Sequence, residues 1–320
     1  MRKLFLILSI VFASLSATAA DCEYPCKPVT FVMSVVAGGP ADTLFARPFS
    51  EFFRKETGQP MIIEYMPSAQ GLVQIRHLKA SPGDGYTIGL VRSSTSVYKP
   101  VMDVIDYDPV KDLTNIAFFV RYPSAIYVNA ESQYMSLKDL FDKAPPNGLN
   151  FGMSYHGARL LAHIMSTQEK KYIESIMYPG DGAANNALLG KQLDTVIGTL
   201  GGTPIQMQRL GKFRMIATTG DRRIPSIPNV PTLKELGYNI EQYTFLGVGG
   251  PPNMDPVVLK KINNLINKFV KDPEVQAKLN QDGMFTPVNN SSEMMSRFID
   301  NDIKFWDSVR QKHKITKTTD

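Results

Sequence analysis

The run Val29-Thr30-Phe31-Val32-Met33-Ser34-Val35-Val36 leads into Ala37-Gly38-Gly39-Pro40-Ala41-Asp42, and helical spacing follows from Thr43. β-Branched and aromatic residues favour a strand, the glycine pair and the proline end it, and the aspartate suits a helix N-cap. A strand that passes through a short loop into a helix points to a sheet with parallel neighbours. Two adjacent glycines allow close backbone approach to a bound group. The unpaired N–H groups of a helix start carry partial positive charge. The stretch therefore reads either as an anion cradle or as a strand-to-helix turn with no ligand.

The pattern recurs. Met61 to Tyr65 reads as a strand, Pro67-Ser68-Ala69-Gln70-Gly71 as a loop and Leu72 to Lys79 as a helix. After the turn Pro82-Gly83-Asp84-Gly85 comes a strand from Tyr86 to Val91, then the polar loop Arg92-Ser93-Ser94-Thr95-Ser96. The first helix, Thr43 to Thr57, places Leu44, Phe45, Phe49, Phe52 and Phe53 on one face, with Pro48 expected to kink or restart it. Ile116 to Val120 and Ala125 to Val128 read as two strands, and Ser136 starts a short helix. Asn150 to Arg159 repeats the strand-to-polar-loop pattern, with a helix over Leu160 to Thr167. Ser175 to Tyr178 is a strand, Pro179-Gly180-Asp181-Gly182 a loop, and Ala183 to Leu189 a helix. Val196 to Gly198 and Met215 to Ala217 are further strands. Asp255-Pro256 and Asp272-Pro273 start helices, and Met295, Phe298, Ile299, Trp306 and Val309 mark a last one. This alternation is an α/β fold, in which ligands sit outside the carboxyl ends of the strands.

Arg2 and Lys3 precede an apolar run from Leu4 to Ala13, then Ser14 to Ala20 rich in small residues. This is the layout of a secretory signal peptide over residues 1–20, and the run is too short for a bilayer span of about 20 residues. The roughly 300 residues that remain suggest two domains. The formal charge of the 320-residue chain is +5, to which Arg2 and Lys3 contribute, and no Lys/Arg block is present. Such a balance argues against nucleic acid as the main partner. Both cysteines lie in Cys22-Glu23-Tyr24-Pro25-Cys26. In an exported protein this spacing favours a small disulfide loop and is not the C-x-x-C redox pattern.

Motifs for chemistry are missing. His77, His156, His163 and His313 have no metal-binding spacing, and neither G-x-G-x-x-G nor G-x-x-x-x-G-K-[ST] occurs. Gly152-Met153-Ser154-Tyr155-His156-Gly157 has one residue too many for a nucleophile elbow. No cofactor or metal is expected, and a binding role is favoured over catalysis. Arg92 and Arg159 stand out in strand-end loops, because the guanidinium fork suits a carboxylate; the alternative is that each is solvated surface.

Several strings together resemble the solute-binding proteins of tripartite tricarboxylate transporters, the Bug family of periplasmic receptors. They are Tyr24-Pro25-Cys26-Lys27-Pro28, Ala37-Gly38-Gly39-Pro40-Ala41-Asp42-Thr43 with Ala46-Arg47, Asp84-Gly85-Tyr86-Thr87 and Tyr107-Asp108-Pro109-Val110-Lys111-Asp112-Leu113. Leu188-Leu189-Gly190-Lys191-Gln192-Leu193-Asp194, Pro228-Asn229-Val230-Pro231-Thr232 and Asp272-Pro273-Glu274-Val275 continue the agreement along the mature chain. The resemblance implies a two-domain, type II Venus-flytrap binding protein with its ligand between the domains. Domain 1 would comprise residues 21–122 and 244–320, and domain 2 residues 123–243.

Carried over, the first-domain ligand contacts fall on Gly38, Gly39, Pro40, Asp42, Ser68, Ala69 and Gly71, with Arg92 and Ser93. Those of the second fall on Ser154, Tyr155, His156, Gly157 and Asp181. Tyr155, Ala158, Arg159, Arg92, Val91 and Gln70 stand where the family usually carries smaller residues, and Gly83 resembles an insertion. Arg159 joins the expected contacts because of its charge. If Arg92 and Arg159 both face the cleft, a dicarboxylate is favoured. The expected role is capture of a small organic acid by a periplasmic monomer for the membrane permease subunits of such a transporter. The alternative is a sensory receptor that presents the acid to a membrane histidine kinase.

Overall fold

The computed structural model describes residues 23–39, 41–67, 71–281 and 284–318. The signal peptide, Cys22 and its expected bond to Cys26, Pro40, Ser68, Ala69 and Gln70 lie outside the described residues.

The first strand, β1 (Val29–Met33), is almost wholly buried. One π-helical turn, Asp42–Ala46, then runs without a break into α1 (Arg47–Thr57). Pro48 is the second residue of α1, at the junction where the π-helical turn gives way to α-helix. Phe45, Phe49 and Phe53 are at most 2% exposed, and Phe49 packs at 5.2 Å from Phe119 and 5.3 Å from Phe269. Each ring buried this way contributes about 1.5–3 kcal/mol. Next come β2 (Met61–Tyr65), α2 (Leu72–Ala80) and β3 (Thr87–Arg92). A second π-helical turn, Ser94–Tyr98, leads into the short α3 (Lys99–Met102).

The two strands expected on either side of Pro123 are one, β4 (Thr114–Asn129). Proline inside a long strand normally breaks a ladder. Here it stands at a change of partners: Pro123 is the last residue paired with the later strand through Tyr243, and Ser124 is the first paired with Thr199. The second half continues with α4 (Leu137–Asp142), capped by Ser136 Oγ accepting the Asp139 N–H at 3.0 Å, and β5 (Leu149–Met153). It proceeds through α5 (His156–Glu169), β6 (Ile173–Met177), α6 (Asp181–Leu189), β7 (Thr195–Thr199), α7 (Gly202–Arg209) and β8 (Phe213–Thr218). The chain returns through β9 (Tyr243–Gly250), then α8 (Pro256–Val270), α9 (Pro273–Gln281) and α10 (Ser292–Lys312). Asp255 caps α8 as expected, accepting the N–H groups of Val257 and Val258 at 2.8 and 3.0 Å.

The strands form one sheet in the order β2-β1-β3-β9-β4-β7-β5-β6, with β8 also on β4. It is not parallel throughout. The outer trios β2-β1-β3 and β6-β5-β7 are parallel, whereas β9 and β4 run antiparallel to their neighbours and join the trios. The trios follow from strand-loop-helix units; the connectors pass through both halves of the sheet's middle and are buried along most of their length. β9 keeps glycine at close approaches: a Cβ on Gly247 would stand 2.6 Å from Met295 Cε and 2.8 Å from the Ala117 carbonyl oxygen. α8 and α10 pack back on β4, and Trp306 of α10 meets Tyr98 of the second π-helical turn edge-on at 5.8 Å. Among the described residues no helix is long and apolar enough to cross a membrane.

Candidate functional site

A cleft of about 690 Å³ opens where the carboxyl ends of the two parallel trios converge. On one side it is lined by Ser34, Val35, Val36, Gly39 and Ala41 after β1, Pro67 after β2, and Arg92, Ser93 and Ser94 at the end of β3. On the other side stand Ser154, Tyr155 and His156 after β5, Met177 to Asp181 after β6, and Thr199 at the end of β7. The connecting strands supply a floor of Tyr122, Thr244, Phe245 and Leu246, with Tyr98 and Lys99 at its margin. A second, smaller depression of about 430 Å³ lies around Tyr24, Thr57, Lys261 and Lys268. Its lysines are matched by Glu23 and Glu56.

The glycine loop after β1 is held together from within. Gly38, at φ +80°, donates its N–H to Asp42 Oδ2 at 2.7 Å, and the N–H groups of Asp42 and Thr43 both go to the Gly39 carbonyl. Asp42 is therefore not an N-cap of the following helix. Its fully buried carboxylate turns back into the loop and also accepts the Tyr65 hydroxyl and the Arg47 Nε–H, each at 2.8 Å. Burial alone would raise this carboxyl. The Gly38 N–H, Tyr65 and Arg47 outweigh that and hold it below the usual carboxylate range. Of this loop Gly39 and Ala41 line the cleft; Gly38 and Asp42 do not. Gly71 is likewise a packing position, since a Cβ there would lie 2.8 Å from Thr95 Cγ2.

Arg92 is the cationic feature of this wall. Its Nε is buried with no hydrogen-bond partner, and burial depresses its guanidinium, opposed by the nearby Tyr122 phenol. Among the described residues no carboxylate lies within 4.0 Å of it. Ser93 Oγ accepts the Phe245 N–H at 2.8 Å and ties β3 to the floor. Ser34 and Ser94 bring buried hydroxyls without partners to the same side.

The opposite wall is acidic. Asp181, the first residue of α6, accepts the Ser154 hydroxyl on Oδ1 and the Thr199 N–H on Oδ2 at 3.1 Å. Tyr155 directs its hydroxyl into the protein, to Ser124 Oγ and to Gln242 Oε1 at 3.4 Å, and burial pushes its phenol up. His156 Nε2 stands 3.8 Å from Asp103 Oδ2, the carboxylate that also pairs with Lys99 Nζ at 2.8 Å. Burial would raise Asp103; Lys99, the Thr318 hydroxyl and His156 together hold it low. The Lys99–Asp103 pair is at most 3% exposed on either side.

Two expected contacts on this wall are displaced. α5 begins at His156, earlier than the polar loop expected over Ser154 to Arg159, so Arg159 sits within the first turn of the helix and does not line the cleft. Gly157 is packed under Tyr98: a Cβ would lie 2.4 Å from the ring, and its carbonyl accepts from Gln242 Nε2 at 3.1 Å. Sequence reasoning missed Tyr98, Tyr122, Thr199, Thr244 and Phe245 as lining residues. Apolar runs of β4 and β9 carry no mark that distinguishes a cleft floor from a core.

The family model for "Tripartite tricarboxylate transporter family receptor" matches residues 45–315. A curated relative, the "UPF0065 protein in gbd 5′region" of Cupriavidus necator, is 29% identical over 312 residues, covering 95% of this chain and 93% of its own. Among solved structures, the periplasmic binding protein BugD is similar with a TM-score of 0.80 at 25% identity, covering 92% of this chain and all of its own. R. palustris Rpa4515 with adipate has the same fold, with a TM-score of 0.82 at 23% identity and coverage of 92% and 100%. The fold is the two-domain α/β architecture of periplasmic solute-binding proteins.

Proposed function

The chain belongs to the tripartite tricarboxylate transporter receptor family, and from that premise we propose that it is a periplasmic solute-binding protein that captures a small organic acid. The acid enters the cleft between the parallel trios, and the loaded protein delivers it to the membrane permease subunits of a tripartite transporter. Residues 21–122 and 244–320 act as one lobe and 123–243 as the other, after removal of a signal peptide over residues 1–20. The role is capture and release, with no turnover of the acid.

One observation carries the reading: Arg92 brings a guanidinium to the cleft with its Nε buried and unbonded. A buried donor left unmade is costly, and a carboxylate restores its bond at charge-assisted strength. Gly39, Ser93, Ser154, Tyr155, His156 and Asp181 shape the remaining contacts, and the solved relative with adipate supports an acid as the ligand class. A thermal-shift series over mono-, di- and tricarboxylates tests this. A ligand at 100 times its Kd stabilises the fold by about 2.7 kcal/mol, a rise of several degrees. No shift with any organic acid would overturn the assignment.

A further inference from the structure

The two walls of the cleft carry opposite charges. Arg92 ends β3 on one side, and Asp181 opens α6 on the other. Tyr122 lines the floor of the same cleft; burial raises its phenol, the Thr244 hydroxyl and Arg92 oppose that, and Asp181 adds to it. The other cations at the site are already set against an acid: Lys99 pairs with Asp103 at 2.8 Å, and His156 stands 3.8 Å from the same carboxylate. Arg159, the second arginine that a dicarboxylate would need, does not line the cleft. A second carboxylate on the ligand would therefore face Asp181, and like charges at short range repel.

Asp181 retains acceptor capacity. A carboxylate has about four acceptor positions, and the Ser154 hydroxyl and the Thr199 N–H take one on each oxygen. The floor between the charges is largely ring and hydrocarbon. Tyr155 commits its hydroxyl to Ser124 and Gln242, which leaves its ring for contact, and Phe245, Leu246 and Met177 adjoin. Flat apolar surface of this kind suits an aromatic body.

We propose that the ligand is an aromatic acid with one carboxylate, held at Arg92, and a hydroxyl or amino donor at its far end, received by Asp181. The inference rests on the cleft being the acid-binding site and adds what it selects.

Isothermal titration of the mature protein with 4-hydroxybenzoate, benzoate, terephthalate and adipate tests it. 4-Hydroxybenzoate and terephthalate differ in whether a donor or a second carboxylate meets Asp181. The expected order is 4-hydroxybenzoate, then benzoate, then the two dicarboxylates, with 4-hydroxybenzoate about tenfold or more ahead of terephthalate. Asp181→Asn should shrink that ratio to about threefold or less by removing the repulsion; should this variant not fold, the wild-type order decides. Terephthalate or adipate binding as tightly as 4-hydroxybenzoate overturns the inference and leaves the acid-binding reading standing. Benzoate equal to 4-hydroxybenzoate overturns the donor at Asp181. Binding by none of the four, together with a flat thermal-shift series, overturns the reading and the inference together.

Discussion

The two parallel trios meet the cleft with loops of the same construction, a strand end followed by small or polar residues and a helix, yet the walls they build differ in charge and in how they are held. On the β1–β3 side the glycine loop is braced by Asp42, which faces inward, and Arg92 lines the cleft. On the β5–β7 side the acid faces the cleft: Asp181 lines it, and Arg159, in the first turn of α5, does not. The shared strand-loop-helix plan places the cleft at the strand ends on both sides, although the helical segments after β1 and β3 open with a π-helical turn. On the proposal made above, Arg92 on one wall and Asp181 on the other, neither in an ion pair among the described residues, select what the site takes.

Behind the first wall lies a further difference. Asp302 of α10 is largely buried, with one carboxylate oxygen unbonded, and its charge reaches Tyr98. Burial raises its pKa to about 7, against the pull of Arg121 and the Trp306 indole. Arg121 is itself enclosed by rings, 4.1 Å from Phe298 and 5.0 Å from Tyr243. Because the folded value lies above the ordinary carboxylate's, the folded chain holds a proton that the unfolded chain releases from about pH 4 upward, so stability is lost as pH rises towards 7. Asp302→Asn should thus stabilise the protein at pH 8 by on the order of 4 kcal/mol and change little near pH 4, as read by thermal midpoints across that range. An equal effect at both ends would remove the buried acid from the account.

Arg92→Gln has the next largest effect. It removes the cationic pole and should weaken acid binding by roughly 10- to 100-fold, with the midpoint of the unliganded protein unchanged or raised. Asp42→Ala strips Gly38, Tyr65 and Arg47 of their shared acceptor, at a cost of about 1–3 kcal/mol in denaturant unfolding. Its effect on affinity should be smaller than that of Arg92→Gln, since Asp42 acts through the loop. Arg159→Gln should alter affinity by no more than about twofold. A loss comparable to that at Arg92 would place a second cation in the cleft and restore a dicarboxylate as the preferred ligand.

Much of this contrast was legible in the residues, and the illegible part has physical causes. Alternation of apolar runs with Gly/Ser loops located β1, β2, β3, β5 and β6 and the strand ends where the cleft forms. Caps were readable because Ser136 and Asp255 satisfy helix-start N–H groups locally. The connectors were not. Arg121-Tyr122-Pro123-Ser124 looks like a break, and only the change of partners at Pro123 makes it continuous strand. β9 contains Gly247, Gly249 and Gly250, which lower strand propensity while serving close packing against Met295, Val91 and Met254. Arg159 was misplaced by the polar look of its neighbours, since the start of α5 at His156 depends on tertiary packing such as Gly157 beneath Tyr98.

The most direct test of the central claim is a crystal structure with an organic acid bound. One ligand carboxylate is expected at about 2.8 Å from the Arg92 guanidinium, between the β3 and α6 walls. A carboxylate seated away from Arg92, or an acid held in the depression around Lys261 and Lys268 with the cleft left to solvent, would contradict it.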